Sequence, residues 1–330
     1  MSEYMIMINS ICNLDCPYCF AKNSMKSSRG EISEESFKKA VEFRLLNSKS
    51  AGIGIIGGEP TLHSKFDFLI RNLINDDRVE SIDIFTNGTT LRHHLPVFSD
   101  KKVFTLINCN PISITGEKLQ SEIIKGLDLL FEIGVPLSRV GFGFNLFNPT
   151  EALDYYLYLI ERYRMDTVRL SVSVPNSFVS GGNGRFQFFS QYLEQTKSFV
   201  RELLDREVVP IFDCNKIPPC LLFGEKEELK NRYKNRPGSM NALMKSNYLN
   251  GYAHCSPSIV VDKNLNAIRC FALSEITREY IFDFDSLREL QHYYEKGIDM
   301  KGYYSDHINC ENCDKLIKRQ CMGGCLIFKV

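Results

Sequence analysis

The chain lacks both a charge imbalance and a long apolar run, and each absence excludes a class of function. Its 40 Lys and Arg residues balance 40 Asp and Glu residues, so the formal net charge at pH 7 is zero. Bulk charge therefore gives no reason to expect a nucleic-acid partner or a membrane partner. No stretch is apolar for long enough to span a bilayer. The first residues lack the basic segment that begins a signal peptide, so we expect a cytoplasmic protein.

Cysteine, by contrast, is abundant. The 330 residues include 12 cysteines, and no leader for export to an oxidising compartment is evident. In a reducing compartment, cysteines in such numbers indicate metal ligation rather than disulfide bonds. The length is sufficient for one large domain or two modest domains with a full hydrophobic core.

Three of the cysteines lie close together near the start of the chain. Cys12, Cys16 and Cys19 are separated by three and two residues, so one short loop can aim all three sulfurs at a single point. A cubane iron–sulfur cluster has four corners, and three local ligands leave one iron open to a small molecule. The alternatives are a zinc site with its fourth ligand elsewhere, or a group of buried thiols.

The segments around this loop predict a parallel α/β fold. Apolar runs at residues 4–8, 53–56 and 82–85 are typical of buried strands, and helical spacing of apolar residues separates them. In such folds ligands bind at the carboxyl ends of the strands. The cysteine loop, the Gly57-Gly58 pair and the Thr86-Asn87-Gly88 corner all lie at that end. Two adjacent glycines allow a backbone to approach a ligand closely, whereas the corner alone could be an ordinary turn.

These motifs together resemble those of the radical S-adenosylmethionine (SAM) superfamily. The resemblance rests on the Cys-x3-Cys-x2-Cys loop after the first strand, Tyr18 before its third cysteine, and Gly57-Gly58-Glu59-Pro60 after the second strand. It implies a partial (β/α)6 TIM-like barrel over about the first two hundred residues. It also implies a [4Fe–4S] cluster that binds SAM through its amino and carboxylate groups. One-electron reduction, from a flavodoxin- or ferredoxin-type donor, then yields a 5′-deoxyadenosyl radical that abstracts hydrogen from substrate.

The same resemblance suggests further cofactor-binding residues. Gly57, Gly58 and Glu59 are expected to contact the methionine moiety of SAM, within a motif completed by Pro60. The remaining candidates lie at strand ends or beside the third cysteine; they are Tyr18, Thr86, Asn87, Asn108 and Ser171. Asn108 is expected either to contact the ribose or to stabilise a turn. Cys109 could donate a hydrogen atom to a substrate radical, although a small buried thiol is the alternative.

A second set of cysteines occupies the last quarter of the chain. Its members flank and follow a predicted β-hairpin at residues 259–268; they are Cys255, Cys270, Cys310, Cys313, Cys321 and Cys325. In an isolated domain this pattern would favour a zinc ribbon. After a radical SAM barrel it resembles a SPASM domain, which carries auxiliary iron–sulfur clusters. The spacing within the C-terminal group is longer than usual, however, and the final cysteine of that pattern is missing.

Cys214 and Cys220 offer the missing ligands. With the six C-terminal cysteines they make eight, enough for two auxiliary [4Fe–4S] clusters. We expect one cluster on Cys255, Cys270 and Cys325, and the other on a second set of three; this second set is Cys310, Cys313 and Cys321. Cys214 and Cys220 would supply the open corners, unless they are merely buried thiols.

The sequence thus predicts a partial barrel followed by a small cysteine-rich iron–sulfur domain. The expected boundaries are residues 1–212 for the radical SAM core, 213–253 for a bridging region and 254–330 for the SPASM-like domain. The first functional hypothesis is a peptide maturase that forms a thioether or carbon–carbon crosslink in a peptide or protein substrate. The alternatives are formylglycine formation in a sulfatase, peptide epimerisation and a non-catalytic electron-transfer module. An intact SAM motif argues against the last of these.

Overall fold

The computed structural model describes residues 3–22, 25, 29–173, 184–212, 217–222, 224–248, 255, 258–303, 310 and 312–328. Cys214 lies outside these residues. The chain divides into two compact units, of which the first comprises Met1–Gly141 and Pro257–Lys296 and the second Phe142–Ser256 and Gly297–Val330. The domain boundaries predicted at residues 212 and 253 stay predictions.

Parallel strands alternate with helices through the N-terminal part of the first unit. The strands are β1 (Tyr4–Met7), β2 (Ala51–Ile56), β3 (Val79–Thr86) and β4 (Val103–Asn108). The helices are α1 (Glu34–Leu45), α2 (Phe66–Ile74), α3 (Leu95–Phe98) and α4 (Ile112–Glu132). Each strand pairs in parallel with the next, so the sheet runs β1-β2-β3-β4. The predicted α/β class is confirmed.

The C-terminal hairpin and the strand that follows it add three strands to the other edge of this sheet. These strands are β8 (Ile259–Val261), β9 (Asn266–Ile268) and β10 (Arg278–Tyr280). Strand β8 pairs in parallel with β1, with Tyr4 opposite Ile259, while β9 lies antiparallel to both β8 and β10. Helix α9 (Leu287–Gly297) follows them. The predicted hairpin is confirmed, and its first strand extends the sheet that carries the cysteine loop.

The second unit contains three parallel strands and most of the remaining helices. Strands β5 (Val140–Leu146), β6 (Thr167–Val172) and β7 (Val209–Phe212) pair in that order, β5 beginning at the unit boundary. The helices are α5 (Asp154–Tyr163), α6 (Gly184–Asp205), α7 (Glu225–Tyr233), α8 (Pro237–Lys245) and α10 (Asp314–Ile317). No helix among the described residues combines the length and apolarity needed to cross a bilayer.

Local chemistry explains where the first helix begins and what it buries. Ser33 caps α1 by accepting a hydrogen bond from the Ser36 N–H at 3.0 Å, and two glutamates in the first turn complement the helix dipole. The apolar positions at helical spacing, such as Phe37, Ala40 and Val41, are buried against the sheet. The Tyr4 hydroxyl of β1 donates to the Ala40 carbonyl at 2.9 Å, which joins helix and strand.

Asp262 organises the turn of the C-terminal hairpin. Its side chain is fully buried and accepts hydrogen bonds from the N–H groups of Asn264 (2.8 Å) and Asn266 (3.1 Å). Its other oxygen forms an ion pair with Arg278 of β10 at 3.0 Å. The carboxylate therefore connects the turn to the third strand.

We expect Asp262→Ala to destabilise the first unit by about 3 kcal/mol, because it leaves buried donors and a charged partner without their acceptor. The measurement is the urea dependence of unfolding, with hydrogen exchange of residues 259–280 to localise the effect. Glu35→Ala is the matched control, since it removes an exposed, solvent-screened ion pair with Lys39 and should change stability much less. Equal losses in the two variants would contradict the assigned role.

Candidate functional site

The three cysteines of the N-terminal loop lie together immediately after β1. The Cys19 N–H donates to the Cys16 carbonyl at 3.1 Å, forming a tight turn. Burial raises the pKa of each thiol, that of Cys16 to about 11, and the neighbouring thiols add to the effect at Cys12 and Cys16. Close, desolvated thiolates repel one another unless a cationic group lies between them. This donor set therefore fits an iron–sulfur cluster with one open corner.

The two glycines of the Gly57–Pro60 motif are required by the cysteine loop itself. The Gly58 N–H donates to the Asn9 carbonyl at 3.0 Å. A Cβ on Gly58 would lie 2.4 Å from the Ile11 carbonyl oxygen, and a Cβ on Gly57 would lie 2.6 Å from Asn9 Oδ1. Any larger residue would push the cysteine loop away from β2. The sequence motif predicted close approach to a ligand; the structure shows close approach to the loop, and contact with SAM stays a prediction.

Glu59 is fully buried, and its carboxylate accepts hydrogen bonds from three residues. Oε1 accepts from the Thr61 hydroxyl at 2.5 Å, the Thr61 N–H at 3.3 Å and the Thr86 hydroxyl at 2.6 Å. Oε2 accepts from the Asn87 N–H at 2.6 Å. Burial raises the pKa of Glu59, and these hydrogen bonds oppose that rise. The side chain thus fastens the end of β2 to the end of β3. Pro60 starts the short 3-10 turn that follows.

A closed set of polar contacts joins the Thr86-Asn87 corner to the cysteine loop. Asn87 Nδ2 donates to Asn13 Oδ1 and Asn13 Nδ2 donates to Thr89 Oγ1, both at 2.9 Å. The Thr89 hydroxyl donates back to Asn87 Oδ1 at 2.7 Å. Asn87 Nδ2 also lies 4.0 Å from Cys12 Sγ. Sequence reasoning missed Asn13, Thr61 and Thr89; their only signal was polarity beside a motif, which is equally typical of turns.

Tyr18 and the end of β4 hold the other side of the loop. The Tyr18 hydroxyl donates to Asn110 Oδ1, and Asn110 is buried. Asn108 ends β4, and its carbonyl accepts from Asn110 Nδ2 at 3.5 Å. Tyr18 therefore positions the loop, and the cofactor contacts expected of Tyr18 and Asn108 stay predictions.

Cys109 is a buried thiol rather than an exposed one. Only 1% of its surface is accessible, its Sγ donates to the Ile107 carbonyl at 3.4 Å, and burial raises its pKa. This environment fits the alternative of a small packed side chain. Its proposed role as a hydrogen-atom donor stays a prediction without geometric support.

Ser171 lies in the second unit. Its hydroxyl donates to Asn145 Oδ1 at 2.5 Å, and the two residues are register partners on β6 and β5. Its expected contact with SAM stays a prediction.

The C-terminal cysteines are distributed over both units. Cys270 immediately precedes a 3-10 turn in the first unit. In the second unit Cys310 and Cys325 are buried, and the Cys255 N–H donates to Met322 Sδ at 3.3 Å. No three Cys, His, Asp or Glu side chains in the described part of the chain are arranged to hold a single metal ion. A cubane cluster needs a different arrangement, because each of its four irons takes a separate ligand.

Known proteins resemble this chain in two ways. The family model of the Radical SAM superfamily matches residues 6–164. GTP 3′,8-cyclases of Aeromonas hydrophila and Vibrio cholerae (strain Ogawa 395) are 26% and 29% identical over 142 and 148 residues. These matches cover 39% and 41% of this chain and 41% and 43% of the cyclases. The chain thus spans less than half the length of these curated relatives.

Two solved structures share the fold over almost the whole chain. Native anSMEcpe with bound AdoMet superposes with a TM-score of 0.65 at 19% identity, over 98% of this chain and 88% of that one. SuiB of Streptococcus suis, bound to the precursor peptide SuiA, gives a TM-score of 0.61 at 15% identity, over 98% and 71%. At these identities the likeness concerns the fold.

The matched segment contains all the N-terminal motifs described above. It includes the three cysteines of the loop, the Gly57–Pro60 motif and the Thr86-Asn87 corner. The predicted partial TIM-like barrel is confirmed by the parallel sheet and by the structural neighbours. Residues 6–164 form a domain of the radical SAM superfamily, and a cysteine-rich region follows it in the chain.

Proposed function

We propose that the chain is a radical SAM enzyme that abstracts hydrogen from a peptide and so forms a thioether or carbon–carbon crosslink. The observation that carries the radical chemistry is the loop of Cys12, Cys16 and Cys19. It is joined to the Glu59 carboxylate through Asn87 and Asn13. The loop that carries the cluster ligands is therefore connected by hydrogen bonds to the expected wall of the SAM site.

The residues of the chain have separable tasks in this scheme. When bound, the cluster and SAM would supply a radical able to abstract hydrogen. The three cysteines would hold that cluster with one corner open. Glu59 holds the two strand ends at a constant separation through its hydrogen bonds to Thr86 and Asn87. Gly57 and Gly58 let the loop approach the sheet. Preorganisation of this kind keeps the reacting groups in place without a cost at each turnover.

The peptide substrate is supported by the extent of the fold likeness. Both solved neighbours cover 98% of this chain, including the cysteine-rich region, and SuiB holds a precursor peptide. A purine nucleotide is the second candidate, because the curated relatives are GTP cyclases. That likeness covers only about two fifths of this chain, in contrast to the fold likeness over 98%.

The two substrates can be separated by one assay. Anaerobically reconstituted protein is mixed with SAM, dithionite and either GTP or synthetic peptides translated from short reading frames beside the gene. We expect a peptide substrate to increase 5′-deoxyadenosine release. Mass spectrometry should then show that the peptide has lost one pair of hydrogen atoms. If GTP instead stimulated 5′-deoxyadenosine release and a cyclised nucleotide formed, the proposal of a peptide substrate would be wrong.

Replacement of the three loop cysteines tests the site of SAM cleavage. We expect the variant Cys12→Ala/Cys16→Ala/Cys19→Ala to release no 5′-deoxyadenosine and to bind about four fewer irons per chain. The same triple change leaves the C-terminal cysteines intact, so any auxiliary iron–sulfur signal should persist in the electron paramagnetic resonance (EPR) spectrum. Continued 5′-deoxyadenosine release would refute the assignment.

Glu59→Gln tests whether the buried carboxylate positions the SAM site. The amide places an NH2 group where an oxygen accepts, and a backbone N–H such as that of Asn87 cannot reorient to avoid it. We expect stability to fall by about 2 kcal/mol and SAM affinity to fall roughly tenfold. The readouts are urea unfolding and equilibrium SAM binding.

The matched control is Glu80→Gln, which makes the same change at an exposed position of β3. It should alter neither stability nor SAM binding appreciably. If Glu59→Gln lowered stability but left SAM affinity unchanged, Glu59 would be structural only.

A further inference from the structure

Cys220 lies in a short turn that packs against the C-terminal cysteines. The turn spans Pro219–Leu222, and both it and the C-terminal segment belong to the second unit. Leu221 contacts a small apolar cluster made of Phe186, Cys310 and Leu316, and Cys313 contacts the same cluster. Leu221, the residue next to Cys220, therefore packs in the same apolar cluster as the predicted ligands Cys310 and Cys313.

A second contact places the same turn beside Cys321. A Cβ built on Gly324 would lie 3.9 Å from Pro218 Cγ and 3.5 Å from Phe189 Cε2. Gly324 has a φ of +119°, and the Gly323 N–H donates to Cys321 Sγ at 3.2 Å. The segment before Cys220 thus lies against the turn that presents the Cys321 sulfur.

The exposure of the four cysteines differs. Cys220 is exposed, Cys313 and Cys321 are partly exposed, and Cys310 is buried. The turn therefore presents Cys220 at the surface beside the segment that contains the other three cysteines.

The local geometry of the other three cysteines leaves one corner to fill. The Cys313 N–H donates to the Cys310 carbonyl at 3.1 Å, and the Cys321 N–H donates to the Lys315 carbonyl at 3.1 Å. These bonds link Cys313 to Cys310 in one tight turn and hold the backbone of Cys321 against α10, which contains Lys315. Three thiolates complete only three corners of a cubane, and the fourth requires a ligand from elsewhere.

We propose that Cys220 is the fourth ligand of an auxiliary [4Fe–4S] cluster held by Cys310, Cys313 and Cys321. The assignment is independent of the peptide substrate and extends the proposed function to a specific residue. Each thiol would release one proton on binding iron. With thiolates at all four corners, such a cluster would have no open iron to bind SAM. We assign Cys214, which lies outside the described residues, to the other auxiliary cluster, whose predicted ligands are Cys255, Cys270 and Cys325.

Thiol protection tests the ligand without any mutation. An exposed cysteine reacts readily with iodoacetamide, but a cysteine bound to iron does not. We expect labelling of Cys220 in native, iron-loaded protein to fall at least roughly tenfold relative to protein stripped with a chelator and oxidant. Protection should extend to the partly exposed Cys313 and Cys321 in peptide-resolved mass spectrometry. Equal labelling of Cys220 with and without iron would overturn the proposal.

Two single variants separate Cys220 from its neighbour in sequence. Cys220→Ala should eliminate one auxiliary EPR signal or convert it to a three-iron signal, and should expose Cys313 and Cys321 to labelling. Because the side chain is exposed, the change leaves no core cavity. Cys214→Ala is the matched control and should leave Cys220, Cys313 and Cys321 protected. Loss of their protection in Cys214→Ala, or its retention in Cys220→Ala, would overturn the assignment.

The remaining readouts distinguish this proposal from the proposed function. Release of 5′-deoxyadenosine reports the N-terminal cluster, so its absence in the wild type would refute the radical chemistry while leaving the protection of Cys220 interpretable. Metal analysis provides the last check. Zinc bound in place of iron at the four cysteines would overturn the auxiliary-cluster assignment.

Discussion

The buried carboxylate of Glu59 is the interaction on which the candidate site depends. A carboxylate removed from water is stable only if hydrogen bonds replace its hydration. Here Thr61, Thr86 and Asn87 provide them, and two of the donors are backbone N–H groups whose positions are set by the strand ends. The carboxylate needs the donors at the end of β3 to be stable when buried. The same hydrogen bonds hold the end of β3 beside the end of β2.

The same interaction reaches the cysteine loop through side-chain amides. Asn87, whose N–H binds Glu59, also binds Asn13 inside the loop. On the opposite side, Gly57 and Gly58 allow the loop backbone to approach β2 so closely that no Cβ fits. One contact holds the loop by polar attraction and the other by steric fit. A loop restrained from both sides can keep three sulfurs oriented before any metal binds, which lowers the entropic cost of ligation.

Sequence spacing predicted the parts of this arrangement that are local. The cysteine loop, the strands that precede each motif and the apolar faces of the first helices follow from residues close to one another in the chain. The partners of Asn13 and the pairing of β8 with β1 do not, because Ile259 lies opposite Tyr4 across most of the sequence. A polar residue beside a motif is equally compatible with a solvated turn and with a buried network. The glycine pair shows a related limit, since the motif indicates close approach without indicating to what.

The C-terminal region differs from the sheet in how its fold is stabilised. Its regular elements are short, since α10 has four residues and the 3-10 turn at Leu326–Phe328 has three. Apolar packing is nevertheless present, because Met322, Leu326, Ile327 and Phe328 are buried. Bound clusters would add to this packing, because a metal cluster connects segments that are distant in sequence. On the proposed ligation the cysteines of this region would contribute to stability as well as to redox chemistry, whereas the N-terminal loop is already held by its contacts with the sheet.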